Sequence, residues 1–389
     1  MEFTVNRDIF LKSLANANGI IEKKTTLPIL SNILIEAKNS KIKITATDLD
    51  IIYFEEFGPQ EIIKEGSTTT SASILYDILR KLEANDKVVL TLVNENKLKL
   101  IAGNSKFNLL CMPSDNFPLS EEDTNQESFE IPSQKFLKLL NKTRISISND
   151  ETRHYLNGIY LHKTKLENKS FLCCVATDSH RLSSSSIEID SNINIEPIIL
   201  PKKTIFQLVS LLEQDNKNIK ISNSKSKIKF EMENGVLISK VIDGRFPDYN
   251  KVIPKNNDKT LEIKLIKFKN SIERVTTVSS DKKEGLKMLI SKNSIQLLVN
   301  NPNSGEGAEN IEAKFNSDDL TISFNSRYLT DISSQIENDS IVINLKDAGS
   351  PVLIRDFLDK NTFHVVMPMK IWFFLQKTNT RLLLFFSSS

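Results

Sequence analysis

Three successive stretches of the chain, each roughly 125–130 residues long, carry the same order of patterns, so the fold has to be built from three like units. Each stretch opens on a helix-like segment: NRDIFLKSLANANGII at 6–21, PSQKFLKLLNKTRISI at 132–147 and IKLIKFKNSIERVTTV at 263–278. Apolar residues recur there at helical spacing and predict a core-facing side: Ile9, Phe10 and Leu14 in the first, Phe136, Leu137 and Leu140 in the second. Alternating strands follow. In KIKITATDLD, Ile42, Ile44 and Ala46 fall on one face and Lys41, Lys43 and Thr45 on the other. FLCCVATDSHRL and SIQLLVNNPNSG hold the same place in the second and third stretches. A second helix is expected over 73–83, 202–214 and 326–337, and then further strands. Turns are expected at 94–96 and at Asn234 and Gly235. Two amphipathic helices over short antiparallel strands make an α+β unit. Polar linkers near 121–128 and 254–260 divide the chain into 1–125, 126–255 and 256–371, leaving an apolar tail at 372–389.

Composition excludes more than it selects. Lys and Arg number 51 against 49 Asp and Glu, a net charge of +2, so any nucleic-acid partner must be argued from where the basic residues sit. Three cysteines, Cys111, Cys173 and Cys174, are too few for a disulfide framework and point to a reducing compartment, the cytoplasm. Without CxxC or HxxxH spacing, and with four scattered histidines, no metal or cofactor site is expected. The opening MEFTVNRDIF lacks a basic region leading into an apolar run, and no apolar run approaches the ~18 residues of a membrane span. Neither a secretory leader nor a membrane partner is therefore expected.

One stretch imitates an active site. VATDSHRL sets Asp178, Ser179 and His180 side by side, the residue types of a hydrolytic triad. TATDLDI holds the equivalent place in the first copy, without the Ser and His. A repeated apolar-Thr-Asp phrase reads as a strand end and turn, with the Asp capping local backbone. Triad members converge in space instead of following one another in sequence, and no GxSxG is present. A hydrolase using Ser179 and His180 is the weaker alternative; a monomeric protein-binding scaffold is another.

TLPILSNILIEA, TATDLDI, YLNGIYL, VATDSHRL, VIDGRFPDYNKVIP and the closing VVMPM, in that order over residues 1–371, resemble the bacterial DNA polymerase III beta subunit family, the sliding clamps. The resemblance implies a head-to-tail homodimer of two three-module chains, closed into a ring with helices inside and sheet outside. It implies no catalytic residues. It implies sequence-independent contacts to double-stranded DNA from Lys24, Arg80, Arg153, Tyr155, Lys202 and Lys203. It implies a docking cleft for a short Gln-Leu-x-Leu-Phe type motif, formed by Leu156, Thr177, Ser179, His180, Arg181, Leu182, Pro247, Asn325, Tyr328, Val365, Val366, Met367, Pro368 and Met369. The partners it implies are the DNA polymerase III alpha subunit, a clamp-loader complex and other proteins with that motif. The ring seam would set Phe107 and Leu109 of one copy against Thr277 and Val278 of the other.

A lumen that holds DNA by enclosure needs basic helix faces. Candidates are Arg7, Lys12, Lys24, Arg80 and Lys81 in the first copy, Lys135, Lys138, Lys142, Lys202 and Lys203 in the second, and Lys264, Lys267 and Arg274 in the third. The tail, WFFLQKTNTRLLLFFSSS, departs from the family pattern. It reads as an altered reading frame or a fusion remnant, or, through RLLLF at 381–385, as a segment able to occupy the cleft itself.

Overall fold

The computed structural model describes residues 1–22, 26–119, 127–279 and 285–369; Lys24 and the 372–389 tail lie outside the described residues. The repeat is real, and the chain is an α+β protein of three like modules. The first runs β1 (Glu2–Asn6), α1 (Arg7–Asn18), β2 (Asn32–Lys38), β3 (Lys41–Thr47), β4 (Ile51–Phe57), β5 (Glu61–Lys64), β6 (Gly66–Ser71), α2 (Ala72–Lys81), β7 (Lys87–Asn94), β8 (Lys97–Ala102) and β9 (Ser105–Met112). The second runs β10 (Ser128–Pro132), α3 (Ser133–Arg144), β11 (Gly158–Leu166), β12 (Lys169–Thr177), β13 (Arg181–Ile189), β14 (Ile198–Pro201), α4 (Lys202–Leu212), β15 (Asn218–Asn223), β16 (Lys227–Met232) and β17 (Gly235–Lys240). The third runs β18 (Lys259–Lys264), α5 (Leu265–Val275), β19 (Gly285–Ser291), β20 (Ser294–Asn301), β21 (Gly305–Lys314), β22 (Leu320–Asn325), α6 (Ser326–Ser333), β23 (Ser340–Leu345), β24 (Val352–Asp356) and β25 (Thr362–Val366).

The equivalence extends to single bonds. The first helical amide of each module donates to the loop before a later strand: Arg7 to Asp86 O at 2.9 Å, Ser133 to Lys217 O at 2.9 Å and Leu265 to Asp339 O at 2.8 Å. The fourth residue of each first helix is a fully buried phenylalanine, Phe10, Phe136 or Phe268. One turn later comes a buried Leu14, Leu140 or Ile272. Such i, i+4 pairs fix which face of the helix meets the sheet, and each ring adds roughly 1.5–3 kcal/mol of apolar burial. The helices end earlier than the pattern predicts, at Asn18, Arg144 and Val275. Ile9 also departs from expectation: it is 47% exposed, because the core face is set by Phe10 and Leu14 and a residue one step away points outward.

Two of the expected lumen cations are structural instead. Arg7 donates to Leu79 O at 2.6 Å and Arg80 O at 3.0 Å, satisfying carbonyls at the end of α2. Gln134 does the same for α4, donating to Leu212 O and Asp215 O at 3.1 and 2.7 Å. The Lys142 side chain is 3% exposed and bonded to Asp359 at 2.9 Å, so it contributes to the core and not to a basic surface. The predicted turn at Asn234 and Gly235 is displaced by one residue: Gly235 already pairs with Met232 in the ladder, and Glu233 and Asn234 make the turn.

By contacts the chain divides into two units. One holds Met1–Asn250 and Asp359–His364, and the other Lys251–Leu358 and the described residues 365–369. In the first unit, thirteen strands run in the order β10-β15-β16-β17-β4-β3-β2-β6-β9-β8-β7-β1-β5. The two modules are joined by antiparallel β17 and β4, Leu237 opposite Tyr53 and Ile238 opposite Ile52. A second layer is β14-β11-β12-β13. Gly158 opens β11 at a close crossing, where a Cβ would come within 2.0 Å of Leu200 O, so no larger residue fits there. The second unit carries β24-β23-β18-β21-β20-β19-β22, all antiparallel, with Phe268, Phe315 and Phe324 buried.

Candidate functional site

The Asp motif is a turn, built bond for bond alike in two modules. Thr47 and Thr177 donate their hydroxyls to the carbonyls of Ile51 and Arg181 at 2.9 and 2.7 Å. Asp48 accepts from the amides of Asp50 and Ile51, and Asp178 from those of His180 and Arg181, all between 2.7 and 3.0 Å. The other Asp178 oxygen receives Arg181 Nε at 3.1 Å. Ser179 accepts from Arg153 at 2.6 Å. The acid of the apparent triad is thus spent on backbone and arginine, as a capping residue should be, and the hydroxyl faces a guanidinium.

Both turns place a non-glycine residue in the left-handed region, Leu49 at φ 79° and Ser179 at φ 76°. That geometry costs an L-residue roughly 1–2 kcal/mol. Leu49→Gly relieves that strain but gives up the burial of a leucine that is 45% exposed, so it is expected to raise the urea midpoint by the equivalent of less than about 1 kcal/mol. A lower midpoint would show that the leucine is held by packing and not merely tolerated.

A hydrogen-bonded chain runs from α4 to this turn. Lys202 Nζ donates to Asn149 Oδ1 at 2.5 Å. The neighbouring Asp150 holds Arg153 Nε at 2.8 Å and the Thr152 hydroxyl at 2.6 Å. Hydrogen bonds from Thr152 and then Arg153 keep the Asp150 carboxyl below its ordinary pKa. Arg153, in the short 3-10 segment Glu151–Leu156, reaches Ser179. Lys202, Arg153 and the Asp178 turn thus form one continuous surface. Sequence reasoning missed its connectors, Asn149 and Asp150, because polar loop residues give no signal until the loop is folded. Lys203 is bonded to Ile20 O at 2.9 Å and to the Asp48 carboxylate, tying α4 to the first module's turn. Arg80 is exposed, 3.3 Å from Asp77. Tyr155 is half-buried, and its Cβ packs under Gly244.

Of the residues expected to form the docking cleft, those in the first unit split by exposure. Leu156 and Leu182 are buried, Thr177 and Arg181 half-buried, and Ser179, His180 and Pro247 exposed. The loop carrying Pro247 is pinned by Phe246, whose ring stacks on Tyr160 at 4.9 Å, and by Tyr249, whose hydroxyl lies 3.1 Å from His162 Nε2. In the second unit, Asn325 caps α6 by accepting from the Arg327 amide at 3.0 Å, and Tyr328 is half-buried on that helix. Val365 and Val366 are buried, Pro368 is half-buried, and Met367 and Met369 are exposed. The Met369 amide is fixed to Ser323 O at 2.7 Å.

Besides β5, β10, β14 and β22, which end the sheets, the internal strands β9 and β21 each have one edge without a described neighbour over most of their length. In the first unit, residues 105–110 of β9 pair with β8 on one side, and only Cys111 and Met112 continue onto β6. Phe107 is half-buried and Leu109 buried there, while Leu110 is 85% exposed on the opposite face. In the second unit, residues 305–312 of β21 pair with β20, and only Ala313 and Lys314 continue onto β18. Thr277 is exposed and Val278 half-buried in the 3-10 turn Thr276–Val278 that packs beside β21.

Three family models match in order: DNA polymerase III beta subunit, N-terminal domain over residues 1–121, central domain over 130–248 and C-terminal domain over 250–370. The chain is 35% identical to a beta sliding clamp of Caulobacter vibrioides over 373 residues, 95% of this chain and 100% of that protein. It is 30% identical to the Escherichia coli K12 beta sliding clamp over 371 residues, again covering 95% and 100%. Among solved structures, a Bartonella birtlesii DnaN sliding clamp bound to griselimycin superposes with a TM-score of 0.92 at 38% identity, covering 95% of this chain and all of that one. A Caulobacter crescentus beta sliding clamp matches with a TM-score of 0.92 at 34% identity, covering 95% and 99%. The chain belongs to the DNA polymerase III beta subunit family, the sliding clamps.

Proposed function

We propose that two copies of this chain close head to tail into a six-module ring that slides on double-stranded DNA and tethers a DNA polymerase, without chemistry of its own. The observation that carries this is the pattern of used and unused strand edges. The third hairpin strand of module one, β4, is paired by the last strand of module two, β17. The same strand of module two, β13, receives residues 361–364: Ser186 N donates to Asn361 O at 3.0 Å, and Ser183 lies 2.7 Å from His364. By the same rule β21 awaits a last strand of type β9, and β9 awaits β21. Only a second copy supplies both, and a heterologous contact used twice closes a ring.

The DNA contacts are Arg80, Lys202 and Lys203 on α2 and α4 and Arg153 and Tyr155 beside them, together with Lys24, which the family resemblance adds. The lysines and arginines neutralise phosphates without reading bases, and the Tyr155 hydroxyl can donate a hydrogen bond to one. The cleft residues named above take a short apolar peptide motif, with Met367 and Met369 as adaptable contacts. The partners are the polymerase III alpha subunit, a clamp loader and further proteins bearing such a motif, in the cytoplasm. No described helix is long and apolar enough to cross a membrane.

The seam makes a direct test. Phe107→Ala is expected to weaken the dimer by about tenfold or more in sedimentation equilibrium, since an aromatic at the centre of an interface is typically worth over 1 kcal/mol. Thr277→Leu, adding apolar surface at an exposed position, is expected to tighten it several-fold. Unchanged dimer strength in both variants would place the seam elsewhere.

A further inference from the structure

We infer that Phe206 is a stacking site for unpaired nucleotides, a cation-flanked ring that holds single-stranded DNA against α3 and α4. The inference deepens the reading of these helices as the DNA-facing surface and rests on it. Phe206 is 46% exposed on α4. Arg144, in the last turn of α3, places its guanidinium carbon 5.4 Å from the ring centroid, and Lys202, the first residue of α4, its ammonium 5.9 Å away. Lys202 is oriented there by its bond to Asn149. A lone exposed apolar side chain would carry no meaning, but here two cations from two helices flank it, and part of the arrangement, a half-buried ring beside one cation, recurs on α2. Tyr76 holds the fifth position of α2, as Phe206 does of α4, and Arg80 lies 6.0 Å from its ring. The fifth residue of α6 is Thr330, so the device belongs to the first two modules.

The chemistry selects the ligand. Two positive charges beside an exposed ring favour a partner that is anionic and also presents a flat π face, which is a nucleotide. Duplex DNA offers phosphates, but its bases are stacked on one another and show only their edges in the grooves. The ring therefore adds nothing to duplex binding beyond the cations. An unpaired base, such as those of the template strand beyond a primer end, can lay its face on Phe206 while its phosphate meets Arg144 or Lys202. Stacking of this kind is worth roughly 1–3 kcal/mol per base.

The test compares substrates on the full chain by fluorescence anisotropy, using labelled oligo-dT and a blunt duplex of equal length. Phe206→Ala is expected to weaken oligo-dT binding by about 5–30-fold, the lower part of that stacking range, and duplex binding by less than about twofold. Phe206→Trp should restore strand binding, whereas Phe206→Leu should behave as the alanine variant does. Equal losses on both substrates, full rescue by leucine, no loss at all, or no strand binding by the unaltered chain would each overturn the assignment. Retention on closed circular DNA, measured in parallel, separates the two claims. Retention with unaltered strand binding in Phe206→Ala sinks only the stacking site. Ring-dependent strand binding without retention on circles sinks the enclosure reading.

Discussion

Asparagine at position 359 is expected to destabilise the protein by about 3–5 kcal/mol, the cost of removing one partner from a buried ion pair. Asp359 meets Lys142 at 2.9 Å, and the lysine side chain is only 3% exposed. It also accepts from the Asn361 amide at 2.9 Å. Burial by itself would raise the Asp359 pKa, but hydrogen bonds from Lys142, Thr362 and Asn361 outweigh it and hold the carboxyl below its ordinary value. A depressed carboxyl pKa stabilises above the unfolded value, and that contribution is lost as pH falls through the folded one. Lys142→Met with Asp359→Asn should recover most of the loss, because an apolar side chain of similar length replaces the ammonium without a desolvation cost. Urea unfolding of the four proteins of this cycle checks it. Additive losses in the double variant would mean that the two residues act independently.

Acid sensitivity should follow from His364. Its ring is fully buried, Nδ1 lies 2.7 Å from Ser183 Oγ, and Nε2 has no hydrogen-bond partner among the described residues. Burial first, then the charges of Lys142 and Arg181, push its pKa down to about 3. The folded protein keeps His364 neutral while the unfolded chain protonates it below about 6.5. Between those values the unfolded state binds the extra proton, so stability falls as pH falls, by about 1.4 kcal/mol per unit. From pH 7 to pH 5 this histidine should account for about 2 kcal/mol of lost stability. His364→Gln should be less stable at pH 7, and its gap to the unaltered protein should shrink by that amount at pH 5. A gap that stays constant with pH would show that His364 can take its proton while folded.

What could be read beforehand follows the physics of sequence range. The threefold repeat, the phenylalanine at the fourth position of each first helix and the Asp turn are local patterns, and local patterns fix backbone geometry directly. The failures are long-range. Nothing near Lys142 marks it as buried; its partner lies 217 positions away. Arg7 looks like a surface cation until the last turn of α2, 72 positions later at Leu79, offers its carbonyls. The candidate site divides in the same way. Asp178 and Thr177 are legible from one phrase. The line from Lys202 through Asn149 and Asp150 to Arg153 and Ser179 exists only after the loop, α4 and the turn have met. The free edges of β9 and β21 have no signature at all, since an unpaired strand has the same alternation as a paired one.

The central claim is that DNA is kept by enclosure. The labelled protein, loaded onto nicked circular plasmid by a clamp-loader complex and separated by gel filtration, tests it most directly. The account predicts co-elution with the circle as a particle of two 44.1 kDa chains, resistant to added salt and abolished when one restriction cut opens the plasmid. Equal retention on cut and uncut DNA, falling steeply with salt on both, would contradict it, because that is how a protein held by phosphate contacts alone behaves.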